Sequence, residues 1–472
     1  MSDFSDLMKQ YMDEASLTAY QLSQLCGIER TTIYRVSRGT RRGSEEFVET
    51  VAPYLQLSKN EKQALLDALR MEKIGKNTYE NRIAIQDLLF KISNWKQQEN
   101  LQNTDVFMLQ NIDVSFRQEN PVVVLNSENE VDLCIISMLQ AVGNMEKSPE
   151  VFSTAWKKMH LVQAAIWKIG KSTQKYLPFF QYIQFEKTTP EKVVSKNMKM
   201  VNEILPFAVA YPGKYEVYYS YAAISEDKIR LFPYCIVVDK YVLYMVEDYQ
   251  KGLLVCIPEF AQTIREEMKR IRNQYVCLMH RKLIYGDDYV AFGKQESIDF
   301  WFAEYLPIDF FIDETLAEEV VDPNFKDEFG VLYWHSKMCR KNAHHFFSES
   351  SLKQFLKKPQ DLHELQKFQI QVNEQIFQKM VGNVYQRLTD QNKNIHVLKK
   401  DTIPPVPGLA IGLKRHKKLI IVNETTEKNR FCISITEQSV CNAFEDFFET
   451  LSQSEVLLSA EEKKYMFSHW IN

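Results

Sequence analysis

Between Arg30 and Arg42 the chain carries five arginines, Arg30, Arg35, Arg38, Arg41 and Arg42, and no Asp or Glu. A guanidinium is a planar fork of N–H donors, so such a local excess suits phosphate oxygens and, in bidentate contacts, the major-groove edge of guanine. Thr31, Thr32 and Tyr34 lie among them and add hydroxyl groups. A second group of chemistry-bearing side chains is His335, Cys339, His344 and His345. Their spacing fits no familiar zinc pattern, and a closed site needs four ligands in tetrahedral reach, so no metal is expected. Glycine-rich phosphate loops, G-x-S-x-G and H-E-x-x-H are missing, and with 14 Gly in 472 residues no nucleotide cofactor is expected.

The arginines need elements that hold them on one face, and the stretch Ser16 to Ser44 supplies a helix, a tight turn and a second helix. Thr18 is placed as an N-cap, and from Ala19 to Cys26 the apolar residues Leu22, Leu25 and Cys26 recur at helical spacing. Gly27 then ends the helix, because glycine enters the left-handed region without a Cβ penalty. The second helix runs from about Glu29 to Ser37, with Ile28, Ile33 and Val36 as anchors. The opposite face presents Thr31, Tyr34, Arg35 and Arg38, with Arg30 at the exposed N-terminal end.

These residues, LTAYQLSQLCGIERTTIYRVSRGTRRGS, resemble the lambda-repressor-like (Cro/XRE-type) helix-turn-helix, including the Arg38-Gly39 step and Arg41 soon after it. The resemblance covers roughly the first seventy residues, with Glu45 to Leu55 and Ser58 to Lys73 completing a small helical bundle. It implies DNA binding by Arg30, Thr31, Thr32, Tyr34, Arg35, Arg38, Arg41 and Arg42. In it Arg30, Thr31, Tyr34 and Arg35 would face bases, and Arg38 with Arg41 would face phosphates. Ala19 stands where many members have a helix-starting Gln, and Glu29 replaces the usual small hydroxyl N-cap.

The length of 472 residues calls for two to four domains, and 45% hydrophobic content is ample for their cores. A net charge of −4 gives no global attraction to nucleic acid, so the basic surface has to be local to the N-terminal module. The eight Cys occur singly and never as CxxC, which reads as reduced thiols. Neither a signal peptide nor a membrane span is evident, so the expected location is the cytoplasm, with no membrane partner. The expected fold is multidomain: an all-α helix-turn-helix bundle followed by a large α/β (α+β) effector region. The divisions are 1–75 for the bundle, 76–103 for a linking or dimer-forming helix, 104–290 for an α/β subdomain, 291–400 for a mainly helical segment and 401–472 for a C-terminal α/β unit. PYCIVVDKYVLYMVEDYQKGLLVCIPEF and the run from Leu409 to Leu451 share the order strand, strand, strand, helix. A duplicated unit gives that order, and so does chance recurrence in α+β chains.

His280, Lys282 and Asp287 match the H-x-K-x4-D spacing of phospholipase D-like phosphodiesterases, a bilobal family in which each half brings a His. His416, Lys418 and Asn423 form an imperfect second copy, without the Asp. The pair sits at different places in the proposed repeat, so no catalytic residues are assigned and the chain is not expected to be an enzyme. The expected function is a one-component, sequence-specific transcriptional regulator. It would act as a homodimer on an inverted-repeat operator in double-stranded DNA, with a ligand or protein partner for the C-terminal region. The alternatives are a phosphodiesterase with a DNA-targeting head and an antitoxin-like adaptor that controls its own operon.

Overall fold

The computed structural model describes residues 3–105, 121–187, 195–221, 233–283, 297–304, 306–327, 329–330, 333, 337, 342–362, 365–366, 368–390, 394–400, 402–403, 408–423, 431–468 and 470. The chain divides into two compact units, Met1–Ile83 with Thr189–Ser195, and Ala84–Thr188 with Lys196–Asn472.

The first unit is helical: α1 (Asp3–Glu14), α2 (Ala19–Cys26), α3 (Arg30–Ser37), α4 (Glu45–Val51), α5 (Lys59–Ile74) and the start of α6 (Lys76–Asp105). Helix α1 had no counterpart in the sequence reading. Its Phe4, Met8, Tyr11 and Met12 recur at helical spacing and are buried with Leu22, Ile33, Val36, Val48 and Leu65. Start signals are chemical and local. Ser44 caps α4, and Ser58 with Glu61 forms a capping box on α5. Gly43 lies so close to the Phe4 ring that an added Cβ would come within 2.8 Å of it, so the chain entering α4 has no room for a side chain there.

In the second unit the first half runs β1 (Val122–Leu125), α7 (Glu128–Gly143), β2 (Val151–Ser153), α8 (Met159–Thr173), β3 (Phe179–Phe185), α9 (Lys196–Ala210) and β4 (Tyr215–Tyr221). It continues with β5 (Tyr234–Val238), β6 (Tyr241–Met245), β7 (Gly252–Val255), α10 (Pro258–Arg272) and β8 (Val276–Cys277). The second half starts with β9 (His280–Leu283), β10 (Phe300–Ala303), α11 (Ile308–Phe311), α12 (Glu314–Val320), β11 (His344–Ser348), α13 (Glu349–Lys357) and α14 (Glu374–Thr389). It ends with β12 (Ile395–Leu398), β13 (Leu409–Lys414), β14 (Lys418–Asn423), β15 (Phe431–Ile435), α15 (Gln438–Leu451) and α16 (Ala460–Phe467).

The two sheets share one plan. The first has the order β1-β7-β6-β5-β2-β3-β4-β8, and the second β9-β15-β14-β13-β10-β11-β12 when read from its β9 edge. Sense agrees strand for strand: β2, β3 and β4 are parallel, as are β10, β11 and β12, and every other pair in these two series is antiparallel. Even β8, antiparallel to β4, has a counterpart in the antiparallel bridge from Leu398 to Leu457 beside β12. The strand, strand, strand, helix order seen in the sequence is thus the later part of a larger repeated unit: β5 to α10, and β13 to α15.

The expected division at 290 and 400 does not follow the sheets. β9 lies before 290, and the segment 291–400, expected to be mainly helical, contributes β10, β11 and β12 to the sheet of the C-terminal strands. The reason is physical. FWFA and HHFFS are buried almost throughout, because parallel strands covered on both faces show no alternation to distinguish them from helix.

Two helices show how the second unit packs. α15 buries Phe444 and Phe448 on the second sheet, where the Phe448 ring stacks on Phe300 at 5.6 Å and on Phe346 at 5.7 Å. Its N-terminus meets α9 and the end of β4: Asn197 Nδ2 donates to Ser439 Oγ at 3.0 Å, and buried Glu437 accepts from the Tyr221 hydroxyl at 2.7 Å and from the Val440 N–H at 2.8 Å. Helix α6 has its expected bounds to within two residues, but its apolar face is already used. Ala84, Ile85, Leu88, Leu89 and Ile92 are buried in the second unit's core, so that face is not available for a dimer. Among the described residues no helix is long and apolar enough to cross a membrane.

Candidate nucleic-acid interface

The pair α2 and α3 is built as its residues dictate. Thr18 caps α2, its hydroxyl accepting from the Gln21 N–H while the Gln21 side chain returns to the Thr18 N–H at 2.9 Å. Gly27 takes φ 71° and ψ 3°, the left-handed conformation that lets α3 begin three residues later. Ile33 and Val36 are fully buried and fix the roll of α3. Leu25 departs from expectation: it is 49% exposed, and α2 enters the core through buried Leu22, with Ala19 and Cys26 partly buried beside it. Leu25 lies about 60° around the helix from Leu22, enough to miss the contact.

With α3 so rolled, Arg30, Thr31, Tyr34, Arg35 and Arg38 are all exposed, within an arc of about 140° at 100° per residue. Two of the guanidiniums rest on aromatic rings. Arg38 lies 4.7 Å from the centre of the Tyr34 ring, and Arg30 lies 5.9 Å from that of Tyr20. Tyr20, itself 57% exposed, belongs to this surface and was missed in the sequence, where its place as second residue of α2 was the only signal. The turn after α3 is closed by Gly39 at φ 69° and by the Thr40 N–H donating to Arg35 O at 2.9 Å. It brings Arg41 back over the helix, where Nη1 donates to Thr32 Oγ1 at 2.8 Å. Thr32 is therefore half-buried and engaged, and Arg41 is a brace as well as a charge. Arg42 is exposed. Glu29 provides no side-chain cap, which leaves a negative charge beside the first turn of α3.

The histidines of the second unit lie elsewhere in the fold. His280 starts β9 opposite Ser434, exposed, and Asp287 lies outside the described residues. His416 occupies the β13–β14 turn at φ 55°, with Nδ1 3.1 Å from Glu445 Oε2. The corresponding turn of the first half, between β5 and β6, holds Asp239 at φ 49° and Lys240. Both motif histidines thus belong to one sheet, at positions that the repeat does not equate. The expected result is that His280→Ala and His416→Ala leave the far-UV circular dichroism unchanged and that a chromogenic phosphodiester is not turned over. Metal-free turnover lost in either variant would overturn this.

Of the residues weighed as metal ligands, His335 and Cys339 lie outside the described residues. His344 and His345 alternate along β11 to opposite faces of the sheet. His344 Nδ1 is 3.0 Å from His396 Nε2, the rings parallel within 2°. Burial holds both imidazoles below their ordinary range, His396 down to about 3, with neighbouring cations adding to the effect. No group of three or more metal-ligating side chains is found among the described residues.

No family model matches the chain, and no curated protein does so significantly. Among solved structures, it is similar to TrmBL2, an archaeal chromatin protein described with a novel mode of DNA binding, with a TM-score of 0.24, 13% identity and coverage of 58% of this chain and 94% of that one. It is also similar to a phosphatidylserine synthase from Haemophilus influenzae Rd KW20, with a TM-score of 0.22, 11% identity and coverage of 74% and 93%. At scores this low neither likeness defines the fold or the activity of this chain.

Proposed function

We propose that the chain is a sequence-specific DNA-binding regulator in which the first unit reads DNA through α3 and the second unit serves oligomerisation and sensing. The observation that carries the reading is the exposed face of Arg30, Thr31, Tyr34, Arg35 and Arg38 on a helix whose roll is set by buried Ile33 and Val36. It is the face a lambda-repressor-like module would present to the major groove. Its arginines suit guanine edges and phosphates, while the chain as a whole, at −4, repels nucleic acid weakly. One such helix reads only a few base pairs, so a specific site calls for two copies.

The test is hydroxyl-radical footprinting of the full chain on DNA selected from a random library. The expected footprint is an inverted repeat with half-site centres about 34–36 Å apart, or a whole number of helical turns, bound by a dimer. One undivided half-site protected by a monomer, or no selected sequence at all, would overturn the reading.

A further inference from the structure

The two sheets have four edges among the described residues, and three are guarded. β8 offers only two residues, too few to template another strand. Beside β12 the chain returns through the bridge from Leu398 to Leu457, with the Leu458 N–H donating to Val397 O at 2.8 Å. β9 carries exposed His280 and Lys282, side chains of the kind that discourage edge pairing. β1 is different. Its sequence is VVVL, it is antiparallel to β7 on one side, and it bears no charge.

Val122 and Val124 are 44% and 63% exposed. They stand opposite Val255 and Leu253 of β7 and continue the apolar surface toward Phe260 of α10, itself 36% exposed. An uncharged β-branched edge with an apolar flank is a template for another strand, and natural proteins do not leave such an edge open. The strand that fits it best is its own copy, because antiparallel pairing of identical strands closes as an isologous two-fold contact instead of growing into a fibre. Charge agrees with that choice. Exposed Lys251 stands at the end of the patch next to Gly252, opposite Leu125, and exposed Glu259 stands beyond Val255 at the other end. Antiparallel self-pairing turns the Glu259 end of one protomer toward the Lys251 end of its partner.

We infer that β1 is the interface of the dimer: two copies of Val122–Leu125 pair antiparallel, so that the first sheet runs on from one protomer into the other. This deepens the dimeric reading above, but its test needs no DNA, so its failure leaves the role of α3 standing.

The experiment is light scattering of the full chain over a concentration series, with Val124→Lys, Val122→Glu and, as a control on exposed apolar surface elsewhere, Phe90→Glu. Each substituted side chain is solvent-exposed in the single chain, and circular dichroism checks the fold. The wild type and Phe90→Glu are expected as dimers. Either β1 variant should dimerise on the order of 100-fold more weakly, since a charge would face its own copy in place of apolar contact. Hydrogen exchange of the wild type supplies a readout without any variant: the Val122–Leu125 amides should gain protection as concentration rises through the dimer transition. A monomeric wild type, β1 variants that dimerise as tightly as the wild type, or concentration-independent exchange at β1 would each overturn the assignment.

Discussion

Replacing Arg35 with Ala should weaken binding to the selected site by about 1–3 kcal/mol and relax the preference at one base pair, leaving non-specific binding nearly unchanged. Arg35 lies at one edge of the exposed arc of α3, and its guanidinium is not tied to another side chain by any contact described above. Arg30→Ala should act the same way at a neighbouring base pair, with a further effect in Tyr20→Ala through the ring beneath Arg30. Arg38 belongs to the turn end of the helix and stacks on Tyr34, so Arg38→Ala should reduce affinity for all sequences alike. It should also shrink the salt slope by about one unit for one lost phosphate contact. Arg41 separates charge from bracing. Its hydrogen bond to Thr32 means that Arg41→Lys keeps the charge but loses the fork, so an affinity loss shared by Arg41→Lys and Thr32→Val would identify the brace. Quantitative titration at three salt concentrations distinguishes these patterns. Unchanged binding in Arg30, Arg35 and Arg38 variants would mean that α3 is not the reading helix.

Phe448→Ala should destabilise the second unit by roughly 3–5 kcal/mol in urea titration, the range for truncating a fully buried Phe. Few side chains here have so many ring partners. Phe448 contacts Phe300, Phe302 and Phe346 on three positions of two neighbouring strands, and Phe444 and Phe447 on its own helix, with centroids 5.6, 6.3, 5.7, 6.1 and 5.7 Å away. The three strand-borne partners cannot collapse into the space without leaving the sheet. Phe260→Ala, on the corresponding helix of the first half, removes a ring that is 36% exposed and should cost far less. A Phe448→Ala cost below about 1 kcal/mol would show that α15 is not the element that closes the second sheet.

Much of the first unit was legible in the residues. The caps at Thr18, Ser44 and Ser58, the left-handed Gly27 and the buried Ile33 and Val36 all act within about four residues of themselves, where sequence spacing is spatial spacing. The same locality placed Arg30, Thr31, Tyr34, Arg35 and Arg38 on one exposed face. Helix α1 is as legible, by its spacing of Phe4, Met8, Tyr11 and Met12. Tertiary structure decided what spacing does not encode. The engagement of Arg41 with Thr32 depends on a turn that folds back, and the exposure of Leu25 depends on which side of α2 the other helices cover.

The second unit shows the same boundary between local and distant causes on a larger scale. By itself the sequence determined that three strand runs followed by a helix occur at β5 to α10 and again at β13 to α15, because turns and caps are written in consecutive residues. Only the tertiary structure decided that β10, β11 and β12 are strands and that both halves follow one seven-strand plan. It also decided that α6 spends its apolar face inside the core and that, among the described residues, β1 is the edge strand of the first sheet. The physical reason is that a parallel strand buried on both faces carries no period of its own, and its neighbours come from segments tens of residues away. Its identity is therefore settled by the contacts it finds and not by the residues next to it.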